Sequence, residues 1–361
     1  MKIFYDSTIF SRQTFGGISR YIVELINHLP DDVEPILGLR ASDNIYLPSL
    51  KHPRRHVTLR GIPDHKHLAR IINHRFDARI MKRGDYDVMH PTDYNTYLTG
   101  RNRKPYVVTV HDLILEKTHR PSQPRHRNML VMEQCVKGAD AIIAISESTK
   151  RDVMEIYGID ERKITVVHHG YTPASAIASS PLPHLGPYIL YVGERNLYKN
   201  FATLIKAFAI LAPRYPDLKL VCTGRPLTKD ERTEIAAAGL TGRVVQQMFG
   251  TDQMHSLYAN AECFVLPSLM EGFGMPILEA FAANCPVALS NTSCMPEIAG
   301  SAGAYFNPTE PEDMAATIER VLTDTAYRTE LTSTAAQKLK EYSWEKTACQ
   351  TANVYRTLCN A

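Results

Sequence analysis

The sequence of 361 residues lacks several features that would classify it at once. No stretch approaches the ~20 apolar residues of a membrane-spanning helix, and the opening MKIFYDSTIF has no long apolar core of a signal peptide. The seven cysteines contain no CxxC pair, so neither structural zinc nor a disulfide framework is expected. These absences predict buried, reduced thiols in a cytoplasmic protein.

Two further absences narrow the class of protein. The chain has no low-complexity tract, and its 44% apolar and 22% charged content is that of a globular protein. The GxGxxG fingerprint of dinucleotide-binding proteins is also missing, which disfavours an oxidoreductase. The length suits two hydrophobic cores better than one.

The net charge of +3 is unevenly distributed along the chain. Residues 51–130 contain 17 Lys and Arg against 7 Asp and Glu. Such a basic segment indicates an anionic partner, which could be a nucleic acid, a phosphorylated small molecule or a membrane surface. Its arginines include Arg54, Arg55, Arg60, Arg70, Arg75, Arg79 and Arg103. Because no known nucleic-acid module or aromatic stacking platform is recognisable, we expect no nucleic-acid partner.

Short apolar runs alternate with amphipathic segments along the whole chain, which predicts strands and helices in turn. The strand-like runs are MKIFYD, EPILGL, YDVMHP, PYVVTVHD, ADAIIAIS and ITVVHHG, then YILYVG, LKLVCTG, VVQQMF, CFVLPS, PVALSN and AYFNP. Near-continuous apolar strands separated by helices indicate parallel sheets covered on both faces. We therefore predict an α/β protein with two doubly wound, Rossmann-like domains facing across a cleft.

A segment rich in proline and small residues separates the two halves and predicts a linker. The boundaries follow as an N-terminal domain at 1–172, a linker at 173–187 and a C-terminal domain at 188–342. In such sheets, ligands bind outside the carboxyl ends of the strands. Candidate functional residues are therefore sought directly after each predicted strand.

Two strand ends in the first half carry candidate residues. Gly16 and Gly17 lie between the first strand and its helix, where backbone N–H groups can approach a ligand, although a simple turn would also use a Gly pair. His111 ends PYVVTV and is either a substrate contact or a structural histidine.

In the second half, Gly193, Arg195 and Lys199 follow the strand YILYVG. Two cations four positions apart at a helix start suit a diphosphate, because Arg offers a planar fork and Lys a point charge. A solvated surface pair is the alternative interpretation.

The stretch EGFGMPILEA places two carboxylates, Glu271 and Glu279, around a glycine-rich turn. Pro276 suits the first position of a helix, which predicts Glu279 in the first turn. A carboxylate there can accept the hydroxyls of a ribose, or it can simply interact favourably with the helix dipole.

These residues belong to a recognisable pattern. The stretches GGISRY, VTVHD, AIIAISESTKRDV, YILYVGERNLYKN, VLPSLMEGFGMPILEA and MPEIAGSAGAYFNPTEPEDMA resemble, in order, those of the family-4 retaining glycosyltransferases, which have the GT-B fold. Glu271 to Glu279 matches the E-x7-E signature of that family. The N-terminal half is similar to bacterial mannosyltransferases of surface polysaccharide.

The resemblance implies a role for each candidate residue. Glu279 would bind the nucleotide ribose, Arg195 and Lys199 the donor diphosphate, and His111 the donor sugar. The remaining implied donor contacts are Gly16, Gly17, Gly193, Met248, Phe249, Glu271, Gly272, Phe273, Gly274 and Met275. Two features depart from the family pattern. The spacing from arginine to lysine in RNLYK is shorter than in many members, and the strand VVQQMF, which precedes the residues at the nucleotide base, is less apolar than usual. In that family the final helix returns to the first domain, which implies that 343–361 packs there.

The resemblance also implies an activity and its partners. It implies metal-independent transfer of a hexose, with mannose from GDP-mannose as the expected donor and a glycan or lipid-linked glycan as the acceptor. No cofactor or metal is implied, and peripheral attachment to an anionic membrane surface at the inner face of the cytoplasmic membrane is expected. The alternatives are a UDP-hexose donor and a nucleotide-sugar epimerase or phosphorylase on the same fold.

Overall fold

The computed structural model describes residues 1–51, 56–59, 64–120, 122–171, 182 and 184–360. By its internal contacts the chain divides into two compact units. Unit 1 comprises Met1–Gly170 with Tyr342–Ala361, and unit 2 comprises Tyr171–Glu341. The arginines at 54, 55 and 60 and most of the expected linker 173–187 lie outside the described residues.

The described residues of unit 1 form six short parallel strands. They are β1 (Lys2–Tyr5), β2 (Glu34–Leu37), β3 (Val88–His90), β4 (Val107–Val110), β5 (Ala141–Ala144) and β6 (Ile164–Val166). They form two three-stranded sheets, with orders β2-β1-β3 and β4-β5-β6. A single parallel bridge between Met89 and Tyr106 joins β3 to β4, and the Met89 N–H donates to the Pro105 carbonyl at 3.0 Å. The strands therefore follow the order of a doubly wound sheet, in which β3 and β4 at the centre are joined by this one bridge.

The helices of unit 1 between Thr8 and Tyr157 follow these strands. They are α1 (Thr8–Arg12), α2 (Gly17–Asn27), α3 (His65–Arg83), α4 (Thr96–Thr99), α5 (Ile114–Thr118), α6 (Arg127–Lys137) and α7 (Glu147–Tyr157). α7 shows why such segments are helical. Ser146 caps its start by accepting from the Thr149 N–H at 3.1 Å, and Gly158 ends it in the left-handed conformation at φ +67°.

Unit 2 has a six-stranded parallel sheet in the order β12-β11-β10-β7-β8-β9. Its strands are β7 (Tyr188–Tyr191), β8 (Lys219–Cys222), β9 (Val244–Gln246), β10 (Cys263–Leu266), β11 (Val287–Ser290) and β12 (Gly303–Phe306). All residues of β7, β10 and β11 are buried, as their apolar runs predict, whereas the edge strand β9 is only partly buried. The strand order reverses between β7 and β10, which makes their carboxyl ends the expected ligand position.

The helices of unit 2 cover both faces of this sheet. They are α8 (Phe201–Leu211), α9 (Lys229–Ala237), α10 (Thr251–Ala259), α11 (Met275–Ala282), α12 (Met295–Ala299), α13 (Pro311–Thr323) and α14 (Thr325–Lys338). α8 contributes the fully buried Leu204, Ala207 and Phe208 to the main core of the unit. The two-domain α/β fold class predicted from the sequence is thereby confirmed.

The final helix, α15 (Trp344–Cys359), packs within unit 1. Its buried face includes Ala348, Ala352 and Tyr355, which join the core around β1. The Tyr355 hydroxyl lies 2.8 Å from the Tyr5 hydroxyl and 2.5 Å from His90 Nδ1, so the helix is also anchored by a buried polar chain.

Two expectations from composition can now be compared with the structure. Five cysteines are buried, but Cys349 and Cys359 are exposed on α15, so the expectation of uniformly buried thiols is wrong for these two. They lie on the outer face of the helix, where packing does not enclose them. In the part of the chain that the structure describes, no helix combines the length and apolarity needed to cross a bilayer.

Candidate functional site

The strand-order reversal in unit 2 brings two predicted site residues together. Lys199 ends a 3₁₀ turn (Leu197–Lys199) that follows β7, and Glu271 lies in the loop that follows β10. The Lys199 ammonium donates to both oxygens of Glu271, at 2.7 and 2.9 Å. Residues 72 positions apart in sequence therefore form one charged pair at the position where α/β sheets bind ligands.

Glu271 is held by further hydrogen bonds from neighbouring serines. The Ser268 hydroxyl donates to Glu271 Oε1 at 2.7 Å. The Ser293 hydroxyl accepts from the Glu271 N–H at 3.2 Å and donates to its carbonyl at 2.8 Å. Both the side chain and the backbone of Glu271 are thus fixed in place.

Arg195 occupies a different environment from Lys199. Its side chain is 0% exposed and pairs with Glu231 at 3.2 Å. The guanidinium also donates to the Thr223 carbonyl at 2.7 Å and to the Arg225 carbonyl. It therefore ties the loop after β7 to the loop after β8. A contact between Arg195 and a diphosphate stays a prediction.

Gly193 lies where β7 runs into this loop and has a backbone that only glycine adopts easily. Its φ is +128°, and a side chain there would be strained although no atom lies within 4 Å of the Cβ position. The Gly193 N–H donates to the Thr223 hydroxyl at 3.2 Å. The turn thus leaves open space beside the backbone, as expected where a ligand approaches closely.

The glycine-rich segment 272–275 leads into α11. Gly274 precedes the helix in the left-handed conformation at φ +85°, and Met275 is the first helical residue. Phe273 is buried, and Gly272 and Met275 are partly exposed. Backbone N–H groups at such a helix start have no partner within the helix and favour anions.

The predicted position of Glu279 is wrong by one residue, which moves it out of the first turn. Because the helix starts at Met275, Pro276 is its second residue and Glu279 its fifth, so no acidic residue lies in the first turn. A dipole interaction within that turn therefore does not explain this carboxylate. Glu279 accepts a hydrogen bond from the Tyr258 hydroxyl on α10 at 2.9 Å.

Met248 and Phe249 lie in the loop between β9 and α10. Met248 is 75% exposed, and Phe249 is partly exposed. An exposed Met beside a sheet edge offers an apolar, adaptable surface of the kind that stacks on a flat ring. The expected role of this loop at the nucleotide base stays a prediction.

Unit 1 carries the remaining predicted residues, beginning with the glycine pair. Gly16 caps α2, and Gly17 is its first residue. A Cβ on Gly16 would approach the Gln13 side-chain oxygen to 2.4 Å, whereas one on Gly17 would meet nothing within 4 Å. A side chain at position 16 would therefore displace the end of the Gln13 side chain, whereas Gly17 leaves the helix start open.

His111 directly follows β4 and belongs to a cluster of rings. Its ring lies 5.2 Å from that of Tyr21, edge on, and 5.6 Å from that of His169, nearly stacked. Burial lowers the pKa of His111 to about 4, and burial also lowers the pKa of His169 well below its ordinary value. Neutral His111 can therefore donate or accept a hydrogen bond at neutral pH without adding charge.

A cavity of about 550 Å³ opens beside His111 in unit 1. Its lining combines Asn95, Tyr97 and Asp112 with the arginines at 70 and 127. Such a mixture of aromatic, amide and charged groups can hydrogen-bond the hydroxyls of a sugar. Among these residues, the sequence analysis had named His111 as a site residue and Arg70 as part of the basic segment.

Possible metal ligands were also compared with the fold. The sequence contains one Asp-x-Asp triplet, Asp85-Tyr86-Asp87, which immediately precedes β3. It therefore lies at the amino end of that strand, and Asp87 accepts from the Lys2 N–H at 2.7 Å. Within the described ranges, no group of three or more His, Cys, Asp or Glu side chains could hold a metal ion.

Several residues that support the site were missed by the sequence analysis. They are Asn200, Ser268, Ser293, Glu231 and Tyr258. Two of them lie close in sequence to a predicted site residue and could have been found from that position. Asn200 is adjacent to Lys199, and Ser268 lies three positions before Glu271. The others come from distant segments and require the strand order.

The chain matches the family models of two glycosyltransferase domains. The family model of glycosyltransferase family 4 matches residues 15–175, and that of glycosyl transferases group 1 matches residues 175–338. The O-antigen chain mannosyltransferase B of Escherichia coli is 27% identical over 374 residues, covering 95% of this chain and 96% of that protein. A serotype-specific mannosyltransferase of Escherichia coli is 29% identical over 280 residues, covering 72% of this chain and 34% of that protein.

A solved structure resembles the whole chain. The Anabaena protein HepE, crystallised with UDP and glucose, aligns with a TM-score of 0.74 at 19% identity and covers 99% of this chain and 100% of its own. The two parallel-sheet units are thus those of the GT-B glycosyltransferases. The chain belongs to the glycosyltransferases of family 4 and group 1, as its sequence motifs predict. This membership sets the oxidoreductase and epimerase alternatives aside.

Proposed function

We propose that this glycosyltransferase moves mannose from GDP-mannose, with retention of configuration, to a growing lipid-linked surface glycan such as O-antigen or capsule. The observation that carries the proposal is the Lys199–Glu271 pair at the strand-order reversal of unit 2. It places a cation and a carboxylate where a sugar diphosphate would bind. The choice of mannose and of a surface glycan is supported by the similarity to the O-antigen mannosyltransferase along nearly the full length of both chains.

Donor binding in this proposal uses unit 2. Lys199, with Arg195 as the second expected cation, neutralises the diphosphate, and the N–H groups at the start of α11 bind its oxygens. Glu279 accepts ribose hydroxyls, Glu271 lies beside the transferred sugar, and Met248 and Phe249 frame the base. His111 of unit 1 contacts the sugar hydroxyls as a neutral ring.

The reaction breaks the bond between the sugar C1 and the diphosphate oxygen and forms a bond from C1 to an acceptor oxygen. Negative charge grows on the departing diphosphate, which is where Lys199 and helix N–H groups stabilise the transition state. We propose that the acceptor hydroxyl attacks C1 from the face of the sugar on which the diphosphate leaves. The leaving phosphate then accepts the proton of that hydroxyl. No metal ion takes part in this scheme.

The acceptor is proposed to bind in the cavity beside His111. Asn95 and Asp112 line it and can hydrogen-bond sugar hydroxyls, and Arg70 and Arg127 can bind a phosphate of a lipid-linked acceptor. Arg75 and Arg79, on α3 with Arg70, extend this basic surface. Peripheral attachment to an anionic membrane at its cytoplasmic face follows from the same charges.

A thermal-shift panel of GDP, UDP, ADP and TDP tests the donor. A nucleotide present at 100 times its Kd adds about 2.7 kcal/mol to the free energy of unfolding, which gives a clear rise in Tm. We expect GDP to give the largest rise, followed by transfer from GDP-mannose with an α product linkage from the α donor. A larger rise with UDP would instead favour a UDP-hexose donor, which HepE, crystallised with UDP and glucose, keeps open.

A further inference from the structure

The backbone on both sides of Lys199 is fixed by hydrogen bonds to two loops. Asn200 adopts a left-handed conformation at φ +58°, and its side-chain amide donates to the carbonyls of Pro267 at 3.0 Å and Pro308 at 2.7 Å. The Leu269 N–H donates to the Tyr198 carbonyl at 2.7 Å. The start of the Lys199 side chain is therefore held against the loops that follow β10 and β12.

The far end of the side chain is fixed by Glu271. A lysine side chain has four rotatable bonds, so a fixed backbone alone does not place its ammonium. The Glu271 carboxylate binds the ammonium through both oxygens, and only 22% of the Lys199 side chain and 10% of the Glu271 side chain are exposed. Ser268 in turn orients the carboxylate through its 2.7 Å bond to Oε1.

The Glu271 carboxylate would repel a diphosphate that Lys199 attracts, so its position beside Lys199 requires an explanation. An ammonium has three N–H donors, and two suffice for the oxygens of Glu271. The third can therefore point to a phosphate oxygen while the pair stays intact. A preplaced charge also needs no reorganisation when charge develops on the leaving group.

We propose that Glu271 is a positioning residue that acts on the reaction through Lys199, in addition to lying beside the transferred sugar. This inference rests on the proposed function, since it requires a diphosphate leaving group next to Lys199. Its distinguishing consequence is that Glu271 loses its effect on the rate when Lys199 is absent. A carboxylate that acted only by holding sugar hydroxyls would keep its effect.

A double-mutant cycle measures this dependence. Steady-state transfer is compared for the wild type, Lys199→Ala, Glu271→Ala and the double variant, with the nucleotide sugar that the wild type uses best. We expect each single variant to lower kcat by about 100- to 1,000-fold, with a smaller change in KM. We expect the double variant to be no slower than Lys199→Ala.

Controls separate positioning from loss of fold. Glu262→Ala breaks the Glu262–Arg328 ion pair of the same unit, at 2.7 Å, and should leave kcat nearly unchanged. Glu271→Gln keeps one oxygen for Lys199, so it should restore part of the rate lost in Glu271→Ala. Far-UV circular dichroism checks that every variant is folded.

Two outcomes would contradict the inference in different ways. If the two single losses multiply in the double variant, Glu271 acts independently of Lys199 and the positioning role is wrong, whereas the transferase proposal stands. If the wild type transfers no sugar from any nucleotide sugar, the proposed function itself fails and the positioning role fails with it.

Discussion

The two units share one design of parallel strands and covering helices, but the residues at their strand ends differ in charge. In unit 2 the strand ends carry ionised pairs, Lys199 with Glu271 and Arg195 with Glu231. In unit 1 the corresponding position carries the rings of His111 and His169, which burial keeps neutral at neutral pH. The strand ends thus hold fixed ion pairs in unit 2 and neutral, buried rings in unit 1, beside a cavity that Arg70, Arg127 and Asp112 line.

This difference suits a reaction between unlike partners. A sugar diphosphate is an anion and needs fixed cations, whereas the attacking hydroxyl of an acceptor is neutral. The charge contrast between the units therefore supports a donor role for unit 2 and an acceptor role for unit 1.

The largest effect is expected from removing the buried cation of unit 2. Arg195→Ala leaves two backbone carbonyls and part of Glu231 without their donor, so we expect the free energy of unfolding to fall by about 3–5 kcal/mol. Urea denaturation followed by far-UV circular dichroism measures the loss, with amide exchange in β7 and β8 locating it. Arg214→Ala, which breaks a half-exposed ion pair with Glu319, should cost at most about 1 kcal/mol.

The Arg195 variant also tests the contrast between its two possible roles. A variant of full stability with a reduced kcat would show that Arg195 acts on the diphosphate and that its bonds to the loop after β8 matter little. In that case, Arg195 would act on the donor, and Lys199 would remain the cation that Glu271 holds in place.

A smaller effect is expected at Glu279. Glu279→Ala removes a charged hydrogen-bond acceptor, so nucleotide binding should weaken by roughly 1.5–3 kcal/mol while the fold is retained. Isothermal calorimetry with the preferred nucleoside diphosphate measures it. Tyr258→Phe, which removes only the hydroxyl that donates to Glu279, should weaken binding by about 0.5–1.5 kcal/mol. Unchanged affinity in Glu279→Ala would contradict the ribose role.

The sequence predicted the elements of this molecule better than its side-chain contacts. Apolar runs such as CFVLPS and PVALSN became the buried strands β10 and β11, because the strands of a parallel sheet covered on both faces are apolar along their whole length. The position of Glu279 was wrong because the left-handed Gly274, and not Pro276, decides where α11 starts.

The direction of a side chain was the main feature that spacing could not reveal. Arg195 and Lys199 are four positions apart and looked equivalent, but Arg195 faces Thr223, Arg225 and Glu231 on segments about 30 residues away. The Lys199–Glu271 pair likewise depends on β7 and β10 being neighbours. Such contacts follow from strand order, which local patterns do not contain.

The neutral, buried histidines of unit 1 predict a pH dependence of stability. Burial lowers the pKa of His90 to about 3 and of His111 to about 4, below the ordinary value near 6.5. The unfolded chain therefore binds protons that the native chain does not bind, and stability should fall as pH decreases from about 6.5 to about 4. The slope is at most about 1.4 kcal/mol per pH unit for each fully buried histidine and less for the partly exposed His111.

Trp344 provides the measurement, because it is the single tryptophan and packs near Tyr21 and His169 in unit 1. Burial raises the pKa of Asp6 and Asp77, which acts in the opposite direction, so the test compares wild type with His111→Gln. The variant should lose less stability than the wild type between pH 6.5 and pH 4. Equal slopes would show that His111 titrates normally.

The smallest expected effect is that of metal removal, which should leave transfer unchanged. Glu271 holds Lys199 at the carboxyl end of the unit 2 sheet, and the proposed function has charge develop on a diphosphate beside this fixed cation. The one Asp-x-Asp triplet lies in unit 1, at the amino end of β3 and not at its carboxyl end. Asp87 accepts a hydrogen bond from the Lys2 N–H there. Activity is measured with and without excess EDTA, and the Asp85→Asn variant serves as the matched control for the triplet. If EDTA abolishes transfer and Mg²⁺ or Mn²⁺ restores it, the idea that Lys199 does the work of a metal ion is wrong. If Asp85→Asn also abolishes transfer, the metal binds in unit 1.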